Sequence, residues 1–216
     1  MKSSKLVLGI FVLVSALHLI GISIGNENLR IITKPLIILS LMIYYSFVVE
    51  NENHIYLAAL FFCFLGDIFL IFNTELNFIL GLVSFLIGHI LFIVIVVKLL
   101  TKSTGIQKII SLLPFTILFA GLMYLLKDNL GGMLIPVIVY GLTISAFGVV
   151  ALLNYMTEKS LTNLVLLGGA LFFILSDSII ALGKFLQYEK YFPLLIMATY
   201  ILAQYLICKF MTQKSE

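Results

Sequence analysis

The chain is built from apolar runs of about twenty residues, each closed by a short polar break, and that spacing is what a bilayer demands of a helix. Rising about 1.5 Å per residue, a helix needs roughly 20 mainly apolar residues to cross a hydrocarbon layer about 30 Å thick. Eight such runs are predicted, at approximately 6–24, 29–48, 55–72, 78–97, 109–126, 133–153, 164–182 and 191–210. The breaks are brief: 25–28, 50–53, 73–75, 102–105, 127–129, 157–160 and 188–190. No soluble domain fits in gaps of that size, so residues 1–216 are expected to form a single transmembrane domain, an all-α bundle of eight transmembrane helices. Composition agrees, with 62% apolar residues, 11% charged and a mean hydropathy of +1.20. Soluble proteins keep about a quarter of their residues charged.

The same composition excludes a disordered chain, a disulfide-stapled secreted domain and a basic nucleic-acid binder, because the net charge of +3 is spread thinly. Cys63 and Cys208 lie far apart in apolar runs and form no C-x-x-C pattern, so they read as small buried apolar residues. Lys2 and Lys5 precede a first run that reaches Gly21, Ser23 and Gly25, a pattern a cleaved signal peptide shares; an uncleaved first helix is the expectation for a polytopic chain. Eight spans place both termini on one side. That side collects Lys2, Lys5, Lys98, Lys102, Lys108, Lys159, Lys209 and Lys214, whereas the other holds Arg30, Lys34, Lys127, Lys184 and Lys190. The excess predicts cytoplasmic termini in a multi-pass protein of the cell membrane.

In such a chain the informative residues are the polar ones that membrane burial makes expensive, at roughly 2.5 to 3.5 kcal/mol for a charge at a helix centre on insertion scales. Of ten acids only Asp67 and Asp177 fall inside apolar runs. Counting from the expected span ends places each about five residues, or roughly 8 Å, below the outer edge. Lys34, Tyr140, Tyr200 and His18 lie at similar depths, with His89 and Gln204 nearer the midplane. Polar residues at one depth on separate helices meet only around a shared cavity, the default place for a transmembrane site. Each has a plainer explanation. The Asp pair could bond neighbouring helices, Lys34 could snorkel to the headgroups, and His89, His18 and Tyr140 could each satisfy a carbonyl. His54 belongs to a loop. Gly66, Gly81, Gly88, Gly168 and Gly169 are expected to let helices approach closely.

These residues together resemble the YhhN-like lysoplasmalogenases, a family of small eight-span membrane proteins. The resemblance rests on Thr33-Lys34-Pro35, Leu65-Gly66-Asp67, Gly81 through Phe85 to His89, Pro136 with Tyr140, the run from Gly169 to Ser178 that contains Ser176-Asp177, and Tyr200 with Gln204. It covers nearly the whole chain and implies hydrolysis of the vinyl ether bond of a lysoplasmalogen to a fatty aldehyde and a glycerophospho-base. Under it Asp67, Asp177 and His89 are candidate catalytic residues. Lys34, Tyr140, Ser176, Tyr200 and Gln204 are candidates for substrate binding, the substrate being a lysophospholipid drawn from membrane lipid. Neither a cofactor nor a nucleic-acid partner is expected, and oligomeric state is left open.

Independently of the resemblance, two buried carboxyls near a Lys and a His form an acid/base constellation. Carboxyls at close range do not readily both ionise, so one can donate a proton while the other stays an anion. Two further classes compete. A non-enzymatic carrier or lipid-binding protein could use the Asp pair for protons or a cation, and a parallel four-plus-four repeat is hinted at by Gly66-Asp67 and Ser176-Asp177. Pro35, Pro114, Pro136 and Pro193, however, are all placed toward span ends rather than at the midplane breaks a transporter favours. A metal hydrolase using His18, His89, Asp67 and Asp177 lacks any His-x-x-x-His pair.

Overall fold

The computed structural model describes residues 2–72 and 74–215. Asn73 of the third break, Glu216 and the side chain of Lys2 lie outside the described residues. Eight α-helices account for the chain: α1 (Lys2–Ser23), α2 (Glu27–Val48), α3 (His54–Phe69), α4 (Glu75–Leu99), α5 (Gly105–Leu126), α6 (Leu134–Thr157), α7 (Leu161–Phe185) and α8 (Phe192–Ser215). Two short 3-10 turns, Lys127–Asn129 and Gly131–Met133, join α5 to α6. No strand occurs among the described residues, and the protein is all-α, with helices suited to a membrane.

The polar breaks end where a side chain can cap the next helix. Asn26 accepts from the Leu29 amide at 3.0 Å, Asn53 from Ile55 and Tyr56, and Thr74 from Asn77. Thr104 and Gln107 form a reciprocal capping box, and Ser160 accepts from Asn163. Each cap satisfies an amide that a helix start leaves without an intrahelical partner.

Packing arranges seven helices in a closed sequence of neighbours, α1–α2–α3–α4–α6–α7–α8 and back to α1, with α8 also touching α2. α5 stands outside, against α6 and marginally α7. Its outward face carries Ile106, Ile109 and Ile117, all well exposed, as a helix facing lipid should. The core runs down the middle of the ring through Phe11, Ile37, Tyr56, Phe92, Phe147 and Phe173.

Two expectations need correction. Seven helices are long and apolar enough to cross a membrane, but α3 has only 16 residues and ends at Phe69, giving about 24 Å of helix. The expected span reached residue 72; instead Leu70 to Phe72 turn back under hydrogen bonds to Gly66, Ile68 and Phe69. A helix covered by its neighbours, with Tyr56, Ala59, Leu60 and Cys63 fully buried, need not span the lipid itself. The second correction concerns proline. Pro136 and Pro193 do sit at helix starts, but Pro35 and Pro114 lie well inside α2 and α5, which continue unbroken. Pro35 has no amide to give the Ile31 carbonyl, and Ile31 lies on the wall of a polar cavity.

Close helix approach is as expected at Gly169 but not at its neighbour Gly168. A Cβ on Gly169 would stand 2.9 Å from Ile207 Cγ1 and 3.2 Å from the Ala203 carbonyl, so α7 and α8 would have to separate. On Gly168 it would make an ordinary 3.5 Å contact with Leu206. Gly169→Ala is therefore expected to cost about 1–3 kcal/mol, the overpacking range, while Gly168→Ala is neutral or gains up to about 1 kcal/mol from helix propensity. Thermal unfolding midpoints in detergent check the pair, and equal behaviour would refute the packing argument.

Candidate active site

Two cavities meet at the end of the bundle that carries the α1–α2, α3–α4, α5–α6 and α7–α8 connections. The larger, about 560 Å³, is a polar basin walled by α1, α2, α7, α8 and the turn after α3, including His18, Glu27, Arg30, Lys34 and Lys184. The smaller, about 50 Å³, is an apolar slot between α4, α6 and α7 whose only polar side chains are Tyr140 and Asp177. Leu70, Phe78 and Ile180 line both, so basin and slot share a boundary. The early end of α3 makes the basin possible, because Leu70, Ile71, Phe72 and Thr74 turn in to form part of its wall.

Each intramembrane carboxyl is held by a tyrosine from a different helix. Asp67 on α3 accepts the Tyr200 hydroxyl of α8 at 2.8 Å, and Asp177 on α7 accepts the Tyr140 hydroxyl of α6. No hydrogen bond joins the two carboxyls. Both lie within electrostatic reach of the buried Cys63 thiol, which places them around one part of the core. The common depth was expected from span ends, but those ends mislead: Asp67 stands two residues from the end of α3 and Asp177 eight from that of α7. Their surroundings differ. Asp67 is 2% exposed and lines neither cavity, whereas Asp177 is half-buried and forms part of the slot.

Lys34 lines the basin and lies within electrostatic reach of Asp67 without a direct ion pair. His18, 2% exposed, borders the same basin. The Thr33 hydroxyl gives its proton to the Leu29 carbonyl at 2.6 Å, so its 2.8 Å contact with His18 Nδ1 is one in which the ring donates.

The remaining candidates sit behind these walls. His89 is enclosed by aromatic rings, edge-on to Phe173 at 4.5 Å and to Tyr140 at 5.7 Å, and lines neither cavity. The Phe85 carbonyl lies near its ring, yet neither nitrogen completes a hydrogen bond. Ser176 donates to the Ile196 carbonyl at 3.1 Å and so ties α7 to α8. Gln204, fully buried beside Cys63 and Tyr200, completes no hydrogen bond with either amide atom. Phe85 packs across α3 at Gly66, where a Cβ would come within 2.6 Å of the ring. From there it touches Tyr200 edge-on and walls the slot. Among the described residues, no three His, Cys, Asp or Glu side chains converge to hold a metal ion.

In the sequence Arg30 and Lys184 stand out only through the Lys/Arg asymmetry, and Glu27 falls in the first polar break. The signal for Arg30 was present: it precedes Lys34 by four residues and so shares its helix face. Nothing in the sequence brought Lys184 on α7 to the same cavity.

A family model described as the YhhN family matches residues 29–211. The chain is similar to lysoplasmalogenase TMEM86A of Homo sapiens, 31% identical over 162 residues, and to the Bos taurus protein of the same name, 33% identical over 165 residues. Each match takes in 69% of this chain and 62% of the relative, so the chain spans less than two thirds of the length of these curated relatives. No solved structure matches it.

The two Tyr–Asp bonds should differ in weight. Tyr200→Phe strands a carboxyl that water cannot reach, at an expected cost of about 1–3 kcal/mol. Tyr140→Phe should cost less, since Asp177 is only half-buried whereas Asp67 is 2% exposed. Unfolding midpoints of the two variants test this; a larger loss at Tyr140 would refute the assigned difference in burial.

Proposed function

Because the chain belongs to the YhhN family, and because its slot carries a tyrosine-bound carboxyl beside a basic basin, we propose that it is a membrane-embedded hydrolase of the lysoplasmalogenase type. The substrate is a lysophospholipid with a vinyl ether chain, and the products are a fatty aldehyde and a glycerophospho-base. The observation that carries this reading is the shared wall of Leu70, Phe78 and Ile180, which sets an apolar slot holding a carboxyl beside a cationic chamber.

The reaction adds one water across the enol ether. A proton goes to the outer alkenyl carbon, whose π electrons form the new C–H bond, and positive charge develops on the carbon attached to oxygen. Water adds there and releases a proton. The resulting hemiacetal collapses, its C–O bond to glycerol breaking as the hydroxyl becomes the aldehyde carbonyl and the glycerol oxygen takes a proton. Asp177 is the proposed proton donor, since it is the acid of the slot and Tyr140 fixes its orientation. Asp67, held by Tyr200 and facing Lys34, is the second carboxyl, supplying negative charge to offset the cationic intermediate. Lys34 meets the phosphate of the substrate. His89 is assigned to the ring packing that sets Tyr140, and Ser176 and Gln204 to holding α7 and α8 around the site.

Aldehyde release from an alkenyl lysolipid, with its alkyl and ester analogues as controls, tests the assignment on protein purified in detergent. Asp177→Asn and Asp67→Asn preserve size and hydrogen bonding but cannot exchange a proton, and each should lower kcat by about 10² to 10⁴, the usual contribution of general acid/base groups. His89→Gln should lower kcat less and unfold at a lower temperature. Full activity in both Asp variants would remove the mechanism. No aldehyde from the unmutated protein would favour a lipid-binding or carrier role.

A further inference from the structure

A third cavity, of about 170 Å³, lies at the opposite end of the bundle from the candidate active site, where α3 begins and α4 and α8 finish. Its apolar walls are Ile55, Ile95, Leu99 and Met211, and its polar side chains are Asn53, Lys98 and Lys214. All three polar groups present donors. The Asn53 carboxamide oxygen is committed to the amides of Ile55 and Tyr56, at 3.0 and 3.1 Å, so its NH2 group is what remains for a ligand. No acid lines the cavity. Lys214 reaches Glu158 at 3.6 Å, a partly exposed pair that contributes little and leaves the ammonium further donors; among the described residues Lys98 forms no ion pair. Both lysines stand in last helical turns, where the helix dipole alone favours a cation. The dipole does not account for their convergence, because α4 and α8 are not neighbours in the ring, yet their terminal lysines border one space. Two cations around one space repel each other, and an anion between them removes that cost.

We propose that this cavity is a second lipid site, separate from the reaction, in which the phosphate of an acidic phospholipid sits between Lys98 and Lys214. Asn53 adds a neutral donor, and the carbons next to the phosphate lie on Ile55, Ile95, Leu99 and Met211. The occupant is an amphiphile because four of the seven lining side chains are apolar and give a free phosphate nothing to bind. It is an acidic lipid because a choline or ethanolamine headgroup would bring its own cation to two lysines with no acid in the lining to face it. The Lys/Arg excess at this end of the chain draws acidic lipid towards it, and a basic pocket between helices is what such headgroups occupy. The bound phosphate ties α4 to α8. Through Lys214 and Glu158, whose carbonyl holds the Asn163 amide at 2.9 Å, the tie extends to the turn between α6 and α7.

Native mass spectrometry of the full chain in a maltoside detergent, which brings no phosphate of its own, counts bound lipid, and unfolding midpoints report its effect. Dioctanoyl phosphatidylglycerol should bind as a tight copy and raise the midpoint as its concentration rises. Dioctanoyl phosphatidylcholine and dioctanoylglycerol should bind more weakly, and salt should weaken the acidic lipid. Lys98→Gln and Lys214→Gln should each lower its affinity about tenfold, the scale of one charge-assisted hydrogen bond. Lys209→Gln, exposed near the same end of α8 but outside the cavity, should leave it unchanged, as should Lys184→Gln at the other end of the bundle. Equal losses in the Lys98, Lys214 and Lys209 variants would make the attraction a diffuse charge effect and overturn the site. Loss of the tight copy in Lys184→Gln alone would place the lipid in the basin and overturn it equally. Phosphatidylcholine binding as tightly as phosphatidylglycerol would remove the charge argument, and tight inorganic phosphate that phosphatidylglycerol does not displace would overturn the lipid assignment. Midpoints without lipid identify any variant that has lost its fold, and the headgroup and salt series on the unmutated protein then decide alone. No bond is cleaved in this assay, so its outcome and that of aldehyde release stand apart.

Discussion

A carboxyl group placed among apolar helices must take its hydrogen bonds from the protein, because no solvent is there to supply them. The rest of this structure follows from how two such groups are satisfied. Asp67 is answered by Tyr200 and Asp177 by Tyr140, so one acid pins together α3 and α8, distant in sequence, and the other pins α7 to its predecessor α6. Apolar packing between helices gives little directional preference inside a bilayer, since lipid tails offer much the same contact. A phenol bonded to a carboxyl does have a direction, and the two bonds fix the register of α3 against α8 and of α6 against α7. Gly66 and Gly169 permit the close approaches that this register needs, one for the ring of Phe85 and the other for the backbone of α8.

The length of α3 has as much consequence as its acid. Sixteen residues reach only part of the way across a hydrocarbon layer, and the chain turns at Leu70 instead of continuing to the membrane boundary. The turn opens the space that Arg30, Lys34 and Lys184 surround. A full-length third helix would have filled that basin with its own side chains. The missing turns are flanked by α2 and α4, and they leave the bundle a polar chamber that adjoins an apolar slot.

The helices were legible in the sequence because period, length and polar punctuation all act locally. Asn26, Asn53, Thr74, Thr104 and Ser160 mark helix starts that the structure places within a few residues of expectation. The two buried acids were legible too, since an ionisable residue in an apolar run needs a reason. What the sequence hid was where α3 ends and which side chains pair. Residues 70–72 are apolar enough to read as helix, yet they turn, because what they meet is a cavity and not lipid. His89 was legible as a polar residue inside an apolar run, but its place among Phe173, Phe147 and Tyr140 depends on how α4, α6 and α7 rotate against each other. Lys184 shows the limit most clearly: near a helix end it looks like an ordinary flanking charge, and only the packing of α7 beside α8, which also touches α2, brings it to the cavity that Lys34 lines.

The division of the site into slot and basin bears on the proposed chemistry. Protonating an enol ether carbon requires a donor that is not itself consumed by hydration, while the next step requires water, so the two steps favour opposite surroundings. Asp177 stands in a lining that is otherwise apolar, suited to the first. The basin, more than ten times larger and lined with charge, can bring water to the boundary for the second. A lysolipid lying across Leu70, Phe78 and Ile180 would keep its chain on the dry side and its phosphate on the wet side, with the scissile bond between them. A diffuse polar pore would hydrate the acid, and a sealed apolar pocket would starve the cation of its nucleophile. The two adjoining volumes give each step its own environment, and their common wall is where the proposed reaction has to occur.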